Sequence, residues 1–218
     1  MNFTLTYDDE LANASLFQRF PELLPFVGTE YGSVFPKLLL IAESHYLPKE
    51  SVVHLDAEAW YRGSSTNLKG DEPIWINTRR LVNKGKWTLK GHTIYRLLGQ
   101  ALVEAGYPVS ENAFRHVAFM NAFQRPAVYK DSINVVQSDV ETAVKTVNHV
   151  VSVLKPDHII FVSRKAKRMI GPRLFKDSHA VPHPASAWWH RASKRGTGKD
   201  QFMRLLGALI GPTNSELI

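Results

Sequence analysis

The 218-residue chain has no cysteine. That excludes disulfides, thiolate zinc sites and cysteine-held iron–sulfur clusters, and it fits a reducing compartment. A basic stretch leading into an apolar one is also missing from Met1-Asn2-Phe3-Thr4-Leu5, so no secretion signal is expected. No uncharged apolar run approaches the roughly 20 residues that cross a bilayer. There is no internal repeat and no low-complexity tract. Together these absences predict a cytoplasmic protein with no membrane partner.

Hydrophobic residues make up 44% of the chain, enough for a packed core and too many for a disordered protein. The length suits a single domain over 1–218. A formal net charge of +7 favours a polyanionic partner. Between 164 and 199 stand Arg164, Lys165, Lys167, Arg168, Arg173, Lys176, Arg191, Lys194, Arg195 and Lys199, opposed only by Asp177. A solvated basic face is the plainer reading of that run.

Apolar runs at Lys37–Ile41, His116–Met120, His158–Val162 and Ser178–Val181 read as strands, the first buried on both faces. Between them lie helical patterns. Residues 11–25 read as a helix broken at Pro21, and 92–105 as a helix closed by Gly106. A long helix opens at Ser138, where Ser138 and Glu141 have capping-box spacing, and ends at Pro156. Arg164–Ile170 forms a basic helix stopped by Gly171-Pro172, and 199–210 a terminal helix. Alternating strands and helices predict an α/β fold: three-layer α/β/α with a central, mostly four-stranded parallel sheet. Segment 47–91 breaks the rhythm, placing Trp60, Tyr61, Trp75 and Trp87 among Gly, Asn, Lys and Arg. It reads as an inserted or lid-like segment.

Three motifs follow predicted strands: Ile41-Ala42-Glu43-Ser44-His45-Tyr46, Met120-Asn121-Ala122-Phe123 and Val181-Pro182-His183-Pro184-Ala185-Ser186. In one parallel sheet their strand ends meet in one crevice, where open α/β sheets place their sites. Glu43 can position or deprotonate a water, or simply start the next helix. The Asn121 amide suits the edge of a pyrimidine, or serves as a turn residue bonding its own backbone. His183, stiffened by two prolines, can stabilise an anion on a leaving group, or cap a backbone carbonyl.

These motifs resemble those of the uracil-DNA glycosylase superfamily. Its first motif reads Gly-Gln-Asp-Pro-Tyr-His or Gly-Glu-Ala-Pro-Gly, and Ala42-Glu43-Ser44-His45-Tyr46 is similar. An Asn-bearing strand end follows, like Met120-Asn121-Ala122-Phe123. The last motif, His-Pro-Ser-Pro-Leu-Ser with a later Arg, resembles His183-Pro184-Ala185-Ser186-Ala187 with Arg191 eight residues after the His. Leu154-Lys155-Pro156 resembles the superfamily's Lys-Pro strand entry. The likeness spans 37–205 in order, apart from 47–91.

The resemblance implies base excision: a monofunctional DNA glycosylase that hydrolyses the N-glycosidic bond of a flipped-out uracil or other modified base. Asn121 reads the base, Tyr46 crowds the pyrimidine C5 position, and His183 bonds the base oxygen. Phe123, Trp60 or Tyr61 stacks on the base. Trp188 and Trp189 wedge the duplex, or pack in the core, while Arg164, Lys165 and Arg191 hold phosphates. The expected partner is DNA, single- or double-stranded, bound by a monomer with no cofactor and no metal. The sequence also departs from the pattern. Ser44 stands where the water-activating Asp belongs, His45 replaces Pro and Ala42 replaces Gly. The Ser44 departure also suits a DNA-binding protein on the same fold without catalysis. A hydrolase with Ser44 as nucleophile and His183 as base lacks the Gly-x-Ser-x-Gly elbow.

Overall fold

The computed structural model describes residues 1–108, 112–174 and 178–210. Lys176 and Asp177 of the basic run lie outside them. The chain is a three-layer α/β/α sandwich on a five-stranded sheet of order β1-β3-β2-β4-β5. The strands are β1 (Phe26–Val27), β2 (Leu38–Ala42), β3 (Val117–Asn121), β4 (His158–Phe161) and β5 (His179–Ala180). The last four are parallel, as the apolar runs predict. The fifth strand is β1, which pairs antiparallel with β3. Two residues are too few for any period to show, and the stretch lies just past the predicted 11–25 helix. Just past β1, Gly28 runs so close to the Arg115 carbonyl that a Cβ would lie 2.1 Å from its oxygen.

The central strands β2 and β3 are wholly buried, and their side chains alternate between two cores as the pleat requires. Leu39 and Ile41 face one core with Ala118 and Met120, whereas Leu38 and Leu40 face the other with Val117 and Phe119. The first core is covered by short helices α1 (Asp8–Leu11), α2 (Ser15–Arg19) and α3 (Ala57–Arg62). The long α7 (Gln137–Leu154) and α8 (Arg164–Leu174) complete that layer. The second is covered by α5 (Thr78–Asn83), α6 (Thr93–Glu104) and α9 (Gly198–Ile210). No helix among the described residues is long and apolar enough to cross a membrane.

Three sequence expectations are corrected here. The helix expected over 11–25 with a break at Pro21 is shorter: α1 ends at Leu11, α2 covers Ser15–Arg19, and a 3-10 turn follows at Pro21–Leu23. The capping residue of α7 is Asp139, whose carboxylate accepts the Val136 N–H at 2.9 Å; Ser138 Oγ is buried without a partner and Glu141 bonds Gln137. Helix α8 runs through Gly171-Pro172 to Leu174, because a proline in the last turn removes one backbone bond while Ile170 is held in the core. Segment 47–91 carries the short helices α3, α4 (Glu72–Ile76) and α5 between stretches of irregular chain. Its Trp60 stacks on Phe20 at 4.6 Å in one core, and Trp87 donates to the Leu81 carbonyl at 2.8 Å in the other.

Candidate active site

Sheet register brings the three motifs together. Ala42 pairs with Asn121, Ile41 with Phe161, and Phe161 with Ala180, so four strands end along one edge. The pairing continues past the strands. Phe123 donates its N–H to the Glu43 carbonyl at 2.9 Å, Val162 to Ile41 at 2.8 Å and Val181 to Phe161 at 2.9 Å. The edge is the carboxyl edge of the sheet, as crevice placement predicts.

Glu43 leaves β2 into a polar clamp and starts no helix. One carboxylate oxygen accepts the Ser132 hydroxyl, and the other accepts the Ser163 hydroxyl at 3.0 Å. Lys165 Nζ stands 3.5 Å from the first oxygen and bonds Ser132 Oγ at 2.8 Å and the Ile133 carbonyl. Lys165 is thereby committed to Glu43 and its loop. Ser163 stands two residues past the end of β4, so the strand-end rule reaches it. Ser132 lies in a loop with no sequence signal.

His183 stands near enough to Glu43 for the carboxylate charge to act on its ring. Its Nδ1 accepts the Ala185 N–H at 3.2 Å, and its carbonyl accepts the Ser186 N–H at 2.9 Å. An accepting Nδ1 places the proton of the neutral ring on Nε2. Burial holds the imidazole below the ordinary histidine pKa, and the Glu43 charge partly opposes that shift. The result is a neutral ring with an aimed Nε2–H, a suitable donor to an oxyanion.

Asn121 ends β3 almost fully buried, at 5% exposure, and its Nδ2 has no hydrogen-bond partner. Its backbone carbonyl accepts Gln124 Nε2 at 2.5 Å. An unpaired buried amide costs about 1–3 kcal/mol and is uncommon. It can donate to an acceptor that a ligand brings.

His45 and Tyr46 fix the first motif from behind. His45 Nε2 bonds Thr78 Oγ1 at 2.9 Å, and its carbonyl accepts the Ala127 N–H at 2.8 Å. Burial lowers the His45 pKa to about 3, so the ring is a neutral staple to α5. Tyr46 bridges to Ala127. Burial and the charges of Glu43 and Asp131 raise its hydroxyl pKa, which keeps it protonated. Ser44 beside it is half-buried.

The remaining sequence candidates separate. Phe123 and Trp60 are buried in the first core, and the Tyr61 hydroxyl donates to Asp139 at 2.8 Å. Trp189 is fully buried against Phe202, while Trp188 is 52% exposed with the Arg191 guanidinium 5.6 Å from its ring centroid. Arg164 reaches the Gln201 side chain at 2.7 Å on the exposed face. Among the described residues no three His, Asp or Glu side chains group to hold a metal ion. No protein-family model matches the chain, and no curated protein matches it.

Proposed function

We propose that the chain is a monofunctional DNA glycosylase that hydrolyses the N-glycosidic bond of a flipped-out uracil or other modified base. The observation that carries the reading is the pair formed at one sheet edge by His183, its Nε2–H fixed by the Ala185 bond, and Asn121, its buried amide unpaired. One group suits the charge that builds on a departing base, and the other suits that base's polar edge. As the glycosidic bond breaks, the electron pair goes to the base and His183 Nε2–H bonds the base oxygen. Water oriented by Glu43 adds to the oxocarbenium-like sugar carbon and passes its proton to the Glu43 carboxylate, while the base leaves as its anion. Ser132 and Ser163 each occupy one lone pair of that carboxylate, and an ionised carboxylate has about four such sites. Trp188 is the exposed candidate for a wedge, with Arg191 and Arg164 as phosphate contacts.

The test is mass spectrometry of bases released from uracil-containing and naturally modified DNAs, single- and double-stranded. Wild-type protein leaves abasic sites, and His183→Ala lowers the rate by about a hundredfold or more. No release across the panel overturns the reading. A DNA-binding protein without catalysis is the second reading. It is favoured by Ser44 at the carboxylate position and by the hydroxyls already on Glu43. Binding that weakens steeply with salt, with no base released, would establish it.

A further inference from the structure

Exposed apolar groups gather around the loop that follows β3. Leu55, Val128 and Val136 are exposed and line a recess of about 320 Å³. Beside Val128, Tyr129 meets Trp75 of α4 edge-on, with ring centroids 5.9 Å apart. Both rings are open to solvent, at 36% and 37% exposure. Lys130 Nζ stands 4.9 Å from the Tyr129 ring centroid.

The backbone supports this display. The Asp131 N–H bonds the Val128 carbonyl at 2.9 Å, so Tyr129 and Lys130 are the central residues of a turn. Lys130 sits at φ +65°, a left-handed conformation uncommon for a side-chain-bearing residue. The turn presents a flat ring and an ammonium together at the surface. The recess also adjoins the candidate site, because Ser132 both lines it and donates to Glu43.

We propose that Trp75 and Tyr129 form a stacking platform for an unpaired nucleobase that flanks the nucleotide held at Glu43, Asn121 and His183. This deepens the glycosylase reading, and rests on it, by naming single-stranded DNA as the substrate class. The surface suits bases better than phosphates. Asp131 lines the recess and repels phosphate, and the Arg125 guanidinium is bonded to Asp139. Lys130 supplies one cation beside the rings, in a chain of net charge +7. Every base offers a π-face to an aromatic ring, so such stacking tolerates any sequence. Duplex DNA keeps those faces stacked on one another, so the platform selects single strands.

The experiment measures fluorescence anisotropy of a labelled single-stranded oligonucleotide, its duplex, and the same strand with abasic residues flanking the target. Trp75→Ala and Tyr129→Ala each weaken single-strand binding by roughly fivefold to a hundredfold. Duplex binding and the dependence of affinity on salt stay as in wild type, because no phosphate contact is lost. Trp75→Phe and Tyr129→Phe retain most of the affinity, which separates loss of the ring from misfolding. The strand with flanking abasic residues binds wild type as weakly as it binds the alanine variants. Unchanged single-strand affinity in both alanine variants overturns the platform and leaves the patch to an apolar protein segment. An equal loss on the abasic strand overturns it too. Base release is scored separately. Ring-dependent binding without release refutes the glycosylase reading alone, whereas release with ring-independent binding refutes the platform alone.

Discussion

Asp139→Ala should be among the most destabilising substitutions in this chain. Asp139 is fully buried, and its carboxylate accepts four bonds: Arg125 Nε at 2.8 Å, Arg125 Nη2 at 2.6 Å, the Tyr61 hydroxyl at 2.8 Å and the Val136 N–H at 2.9 Å. It therefore joins α3, the loop after β3 and the first turn of α7. Its hydrogen bonds to Arg125 hold that guanidinium above the usual arginine pKa. Without the carboxylate, a charged side chain only 8% exposed keeps just the His54 and Asn134 carbonyls as acceptors. Breaking one partner of a buried pair costs about 3–5 kcal/mol. A domain's whole stability is about 5–15 kcal/mol, so the loss is a large fraction of it.

Urea unfolding followed by circular dichroism measures the effect as a lower midpoint at unchanged slope. A loss below about 1 kcal/mol would refute the reasoning, since that is the ordinary scale of an exposed pair. The double substitution Arg125→Met with Asp139→Leu adds a second check. Removing both charges eliminates the stranded guanidinium, so the double variant should be more stable than Asp139→Ala. If it is less stable, the hydrogen-bond geometry rather than the unpaired charge is what matters.

Two further outcomes follow from groups at the candidate site. In Asn121→Leu the unpaired buried Nδ2 is replaced by an apolar group of similar size, so the melting temperature should hold or rise, and under the glycosylase reading base release should fall at least about tenfold. A marked drop in melting temperature would show that Asn121 serves the fold. His45 has a folded-state pKa of about 3 against an ordinary 6.5. Between those values the unfolded state binds the extra proton, so its contribution is complete above pH 6.5 and is lost as pH falls toward 3. The limiting slope is about 1.4 kcal/mol per pH unit, and stability measured against pH in His45→Gln should be flatter by that amount. Equal slopes in the two proteins would refute the assignment.

The parts of the fold legible in the sequence were those in which one residue pattern determines burial. Leu38–Ala42 and residues 117–120 are apolar throughout because both faces of a central parallel strand are covered. Helices α6 and α7 announced themselves by apolar spacing over many turns. Where the decision belonged to tertiary contacts, local signals misled. Gly171-Pro172 reads as a stop, yet packing of α8 carries the helix to Leu174. Ser138 and Glu141 have the right spacing for a cap, but Asp139 is the residue whose carboxylate also meets Arg125. Trp188 and Trp189 are adjacent and chemically alike. A 3-10 turn over Ala187–Trp189 sends one to solvent and the other onto Phe202.

At the first motif, a shift of one residue changes the chemistry. Side chains of successive residues leave a strand on opposite faces. Ile41 belongs to the core under α7 and α8, while Ala42 belongs to the one under α6 and α9. Glu43 continues the Ile41 side, where it meets Ser132, Ser163 and Lys165. Under the glycosylase reading, the water it orients approaches the sugar from the Ser132 and Ser163 side. The loop that carries Ser132 also carries Tyr129, so water orientation and the proposed base platform depend on the same stretch of chain. That stretch is held in place by Arg125 and Asp139.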